Sequence, residues 1–222
     1  METGGHGWGN SELQYYTTRR ANVRQEKGNL VIEAMKEKFI GPDGVQRNYT
    51  SARLKSDGEF SQQYGRFEAR IRIPSGRGVW SAFWTLGADF DKTGWPACGE
   101  IDIMENIGSE PSINHGSMHG PGYFGEHPLT STYKLPKGHF ADGFHIFAAE
   151  WEPNVVRFYV DDQLYATKTP ADMPRDKRWV FDHPFFVLLN VAVGGTMPGS
   201  PDKSTTFPQR MLVDYVRVYA RK

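Results

Sequence analysis

The chain has 222 residues with 26 basic and 26 acidic side chains; its formal net charge is zero, and no long-range field would gather nucleic acid or an acidic membrane surface. The single cysteine, Cys98, excludes an intrachain disulfide and any multi-cysteine metal centre, and no apolar run approaches the roughly 20 residues of a spanning helix. The 14 Phe, 10 Tyr and 6 Trp stand beside 24 Gly and 14 Pro, which favours short pleated strands with frequent turns over a helical bundle.

In chain order, the segment Met1 to Trp8 has neither the basic nor the apolar region of a signal peptide. The Gly28-Asn29 turn opens a strand over Leu30 to Met35. Phe67 to Ile73 alternates, with Phe67, Ala69, Ile71 and Ile73 on one face and Glu68, Arg70 and Arg72 on the other. Gly78 to Leu86 likewise puts Trp80, Ala82 and Trp84 on one face. The segment Gly108 to Pro136, rich in Gly, Pro, Ser and His, reads as a long loop bordering a site. Val155 to Val160 and Gln163 to Thr167 flank Asp161-Asp162, a hairpin signal. Pro170 introduces a helical turn at Ala171 to Met173. Phe185 to Val193 is apolar except for Asn190, as a strand buried on both faces would be, and Met211 to Tyr219 alternates again. The expectation is an all-β protein, one domain over 1–222, folded as a sandwich of two antiparallel sheets.

One segment carries chemistry: Gly99-Glu100-Ile101-Asp102-Ile103-Met104-Glu105-Asn106. In a regular strand Glu100 and Asp102 share a face, and strict alternation turns Glu105 into the hydrophobic interior. A buried unpaired carboxylate costs several kcal/mol. A β-bulge near Ile103-Met104 removes that cost by resetting the alternation, so that all three acids line one face. Glu100 and Glu105 then stand two pleats apart, roughly 13 Å along the strand, and must lean toward each other across a bent sheet. Glycoside hydrolysis needs such a carboxyl pair, and Asp102 between them would raise a neighbour's pKa. A solvated acidic face or a calcium site remains the alternative for the strand taken alone. Trp80 and Trp84, with Trp95 just before the acids, tip the balance, because indole faces suit the apolar faces of sugar rings.

These residues resemble glycoside hydrolase family 16, and among its members the bacterial endo-β-1,3-glucanases, the laminarinases. The matching stretches are Glu100-Ile101-Asp102-Ile103-Met104-Glu105, Gly7-Trp8-Gly9-Asn10, Tyr64 to Glu68, Trp80 to Leu86, Asn190 to Gly195 and Asp214 to Val218. The resemblance implies a β-jelly roll with a concave substrate cleft, retaining hydrolysis of β-1,3 bonds in a β-glucan polysaccharide, and no cofactor for catalysis. It makes Glu100 the nucleophile, Glu105 the acid/base and Asp102 their helper, with His119 lining the reaction centre. Trp80, Trp84 and Trp95 become the sugar platform, Arg70 and Asn190 contacts to hydroxyls, and Trp8 and Asn10 contacts at the cleft edge. It also implies a structural calcium (Ca2+), with Gly28 and Asp214 matching two ligands. The chain opens after a strand that laminarinases usually place first. A monomer, working outside the cell on a polymer, is expected. The alternatives are a mixed-linkage β-1,3-1,4-glucanase and a glucan-binding module without turnover.

Other signals are weaker. His115 and His119 are four apart, but no third ligand has matching spacing, which argues against a catalytic metal. Cys98 reads as a small buried hydrophobe. Ser81 and Ser117 lack the elbow of a serine nucleophile.

Overall fold

A computed structural model describes residues 1–220. The strands in chain order are β1 (Gln14–Tyr16), β2 (Val23–Glu26), β3 (Asn29–Ile40), β4 (Gln46–Ser51), β5 (Arg53–Lys55), β6 (Gly65–Arg72), β7 (Val79–Gly87) and β8 (Glu100–Ile107). They continue with β9 (Ile113–His119), β10 (Ser131–Lys134), β11 (His145–Glu152), β12 (Val155–Val160), β13 (Gln163–Lys168), β14 (Phe185–Val193) and β15 (Gln209–Tyr219). Among the described residues, one helical turn, α1 (Phe90–Thr93), and one 3-10 turn at Pro170–Asp172 complete the secondary structure. A nine-stranded sheet runs β1-β4-β3-β15-β6-β11-β12-β13, with β2 also on β3, and a six-stranded sheet runs β10-β9-β8-β7-β14-β5. Pairing is antiparallel except between β1 and β4, which are parallel.

Alternation puts the core between the sheets. On β6, Phe67, Ala69 and Ile71 are buried in it, which leaves Glu68, Arg70 and Arg72 on the opposite face of the nine-stranded sheet. Trp151 of β11 packs edge-on against Phe185 and donates its indole N–H to the Phe181 carbonyl at 3.0 Å. The uninterrupted apolar run of β14 has two destinations. Phe185, Val187, Leu189, Val191 and Val193 enter the main core, whereas Phe186 and Leu188 join Leu86 and Cys98 in a second cluster beneath Trp84. Cys98 is fully enclosed there, and burial pushes its thiol up to about 11, so it acts as a packing residue. The β12–β13 hairpin turns on Asp161 and Asp162, both left-handed with φ of 48° and 62°, the geometry of a two-residue hairpin turn.

The segment Gly108 to Pro136 is not the loop its composition suggests, because it contains β9 and β10. The inward residues of β9 are Asn114, Gly116 and Met118, all buried, so a polar side chain and a glycine occupy positions where a hydrophobic pattern would be sought. Gly116 is required by space: a Cβ there would stand 2.3 Å from the Tyr165 hydroxyl.

Candidate active site

The acids come together because β8 is bulged where their spacing demands it. Against β7, Phe83 pairs with Met104 and Trp84 with Asp102, leaving Ile103 as the surplus residue; against β9 the register shifts over the same stretch. Ile103 and Met104 both point into the core, so Glu100, Asp102 and Glu105 all emerge on the outer face of the six-stranded sheet. The surplus residue leaves the Ile103 carbonyl out of the ladder, and buried Asn114 approaches it with Nδ2 at 3.4 Å while also reaching the Tyr165 hydroxyl at 3.2 Å. Asn114→Leu strands that carbonyl and is expected to cost about 1–3 kcal/mol. Urea denaturation measures it, and an unchanged unfolding midpoint would mean that the bulge does not need Asn114.

Each acid has its own partner. Trp80 donates its indole N–H to Glu105 Oε1 at 3.1 Å, and Trp95 donates to Glu100 Oε2 at 2.5 Å. His119, opposite Glu100 in the ladder, brings Nε2 within 3.0 Å of Asp102 Oδ2. Asp102 and Glu105 are 2% and 9% exposed. Burial, and then the charge of Asp102, push the Glu100 carboxyl up to about 8. Burial raises Asp102 well above its ordinary range, with Glu105 adding to it. Glu105 rises to about 7, chiefly by burial, with His119 pulling it down and Glu100 pushing it up. Three such groups cannot all ionise near neutrality, so the cluster retains at least one transferable proton and titrates as a unit. A carboxylate to attack and a carboxylic acid to protonate then coexist on one face.

Glu100, Asp102 and His119 offer ligand atoms within 4.8 Å of one another. Strand pairing thus gives His119 acidic neighbours that linear spacing does not show, without bringing His115 to them. His115 turns elsewhere, with Nδ1 3.2 Å from Thr132 Oγ1 and Nε2 3.8 Å from Glu110.

Trp80 and Trp84 are half-buried on the acid face, and Trp95, 43% exposed, stands edge-on to Phe124 with ring centres 5.2 Å apart. Trp84 donates to Asn190 Oδ1 at 2.8 Å, so the Asn190 amide is committed to the indole. Toward the β5 edge lies a residue that sequence reasoning missed. Arg53 places its guanidinium over both Trp84 and Trp8, at 4.7 and 4.8 Å from the ring centres, and pairs with Glu2 at 2.5 Å. Trp8 and Asn10 thus border the same wall, Trp8 bonded to the Gly4 carbonyl and Asn10 to Glu12 at 3.4 Å.

Arg70 is a correction. It lies on the outer face of the nine-stranded sheet, with the core between it and the acids, bonded to Asp214 at 2.7 Å and stacked on Phe144. Gly28 and Asp214 do line one cavity of about 450 Å³ between the β2–β3 turn and β15. Calcium takes six to eight oxygen ligands, whereas here Asp214 is held by Arg70 and Glu26, on the same wall, by Arg24 at 2.7 Å. The donor set as folded does not fit that ion.

Residues 10–217 match the family model described as "Glycosyl hydrolases family 16". The chain is 44% identical to a beta-glucanase of Rhodothermus marinus over 98% of its own length and 77% of that protein's. The laminarinase catalytic domain of Thermotoga maritima superposes with a TM-score of 0.95 at 48% identity, covering all of this chain and 90% of that one. The endo-beta-1,3-glucanase of Pyrococcus furiosus does so with a TM-score of 0.95 at 46% identity, covering 99% and 86%.

Proposed function

The chain belongs to glycosyl hydrolase family 16, and from that membership and the geometry of its acids we propose that it is an endo-β-1,3-glucanase, cleaving laminarin-type β-glucans with retention of configuration. One observation carries the reading. The bulge at Ile103-Met104 puts Glu100, Asp102 and Glu105 on a single face beside Trp80, Trp84 and Trp95.

In the first step the Glu100 carboxylate attacks the anomeric carbon as the glycosidic C–O bond breaks, and Glu105 gives its proton to the departing oxygen. In the second, Glu105 takes a proton from water, whose oxygen displaces Glu100 and releases the sugar. The indole N–H groups of Trp95 and Trp80 hold the two carboxyls in place. Asp102, held against His119, adds its charge to the cluster, whose three acids share their protons as a unit. The mixed-linkage and binding-module readings differ from this one in outcome. Laminarin is expected to lose viscosity well before reducing ends accumulate, with slower cleavage of barley glucan. Faster cleavage of barley glucan would make it a mixed-linkage enzyme, and absence of reducing-end release from both would leave a binding module.

A further inference from the structure

Glu12 is a carboxyl that the reaction does not use, yet it is only 5% exposed. It lies just before β1 on the N-terminal arm, which is fastened to β14: Leu13 N–H donates to the Val193 carbonyl, and Val193 N–H donates to Gln14 Oε1, both at 2.7 Å. Gly194 lets the arm come this close, for its φ is 71° and a Cβ there would stand 2.5 Å from Leu13. Burial pushes the Glu12 pKa up, while the donors Gln14, Asn10 and Tyr16 and the charge of Arg53 hold it down.

From Glu12 a string of hydrogen bonds runs to the sugar platform, and its direction follows from chemistry. An indole N–H can only donate, so the Asn190 atom facing Trp84 is the amide oxygen. Asn190 then presents Nδ2 to the Tyr16 hydroxyl at 3.2 Å. Tyr16, having accepted, donates onward to Glu12 Oε2 at 3.2 Å. Tyr16 is fully enclosed, and burial with the charge of Glu12 keeps its proton on. Only an acceptor can end such a string, and a carboxylate is one. Gln14 Nε2 donates to the same oxygen at 2.5 Å.

We infer that Glu12 is a positioning residue, which fixes the plane of the Trp84 indole through Tyr16 and Asn190 and so sets the affinity of the cleft wall for its glucan. The inference rests on the reading of the outer face of the six-stranded sheet as the sugar site. Glu12→Gln preserves shape but puts a donor among the donors, and Tyr16→Phe cuts the string in the middle.

The experiment measures Kd for a laminari-oligosaccharide by calorimetry, with Glu100→Gln as background, and KM and kcat on laminarin in the active enzyme. A wild-type chain without turnover would sink the hydrolase reading and leave Kd readable. Each single variant is expected to weaken Kd and raise KM about tenfold, with kcat within about twofold, since a wall contact binds ground and transition states alike. The double variant is expected to lose about tenfold as well, because both changes interrupt one string. An unchanged Kd in either folded variant, a loss near a hundredfold in the double, or a fall confined to kcat would each overturn the inference.

Discussion

Glu100→Gln is expected to reduce turnover of laminarin by about 10³- to 10⁶-fold, the scale on which removal of a nucleophile is felt, while making the folded protein more resistant to heat in alkaline buffer. The second effect follows from the raised carboxyl. Its ordinary pKa is 4.5 and in the fold it stands at about 8, so the native state grips this proton more firmly than the unfolded chain does. That contribution is fully present below pH 4.5 and is lost as pH rises through about 8. Glutamine has no proton to lose. The melting temperature of the variant should therefore exceed that of the parent by an amount that grows from pH 4.5 to pH 8 and then levels off. Near-normal hydrolysis refutes the nucleophile; a gap that is constant or narrows with pH refutes the buried charge.

On an aryl β-glucan oligosaccharide whose leaving group needs no acid, Glu105→Ala is expected to stall the glycosyl enzyme for want of a base, and sodium azide, which needs none, should restore turnover and leave a β-glycosyl azide. Product configuration is read by proton NMR, and an α-azide would mean direct displacement by the small anion with inversion. The parent should show an alkaline limb in kcat/KM as the acid cluster, titrating as a unit, gives up its last transferable proton. Azide-dependent turnover by the variant should lack that limb.

The elements written in clean alternation were legible. β6 buries the residues that its period-two pattern selects, β15 does so at Met211 and Val213 before its register shifts between Val213 and Tyr215, and the burial of β14 on both faces follows from its continuous apolar run. The bulge was legible for a different reason: leaving Glu105 in the core would have been too costly, and the fold takes the remaining option. β9 was hidden because its inward positions are held by Asn114 and Gly116, one chosen for a carbonyl and the other for a phenol. Arg70 and Arg53 mark another boundary. Alternation tells which way a side chain faces within its own strand but not which sheet the strand joins, so it neither tests the cleft position that the resemblance implies for Arg70 nor singles out Arg53. Pairing decides, with β6 in the nine-stranded sheet and β5 at the edge of the six-stranded one. The string from Glu12 to Trp84 joins residues far apart along the chain, including Tyr16 and Asn190, and only folding brings them within reach of one another.

The surplus residue on β8 also bears on how such sites diverge. Excising Met104 would leave Glu100-Ile101-Asp102-Ile103-Glu105, a stretch whose acids fall on one side with no irregularity at all. Two spellings that differ by a single codon therefore encode the same outward acidic triplet, one on a crimped ribbon and one on a smooth ribbon. Insertions and deletions at this point can be inherited without erasing the chemistry, and the partners that tend the crimp, Asn114 above all, are then free to drift.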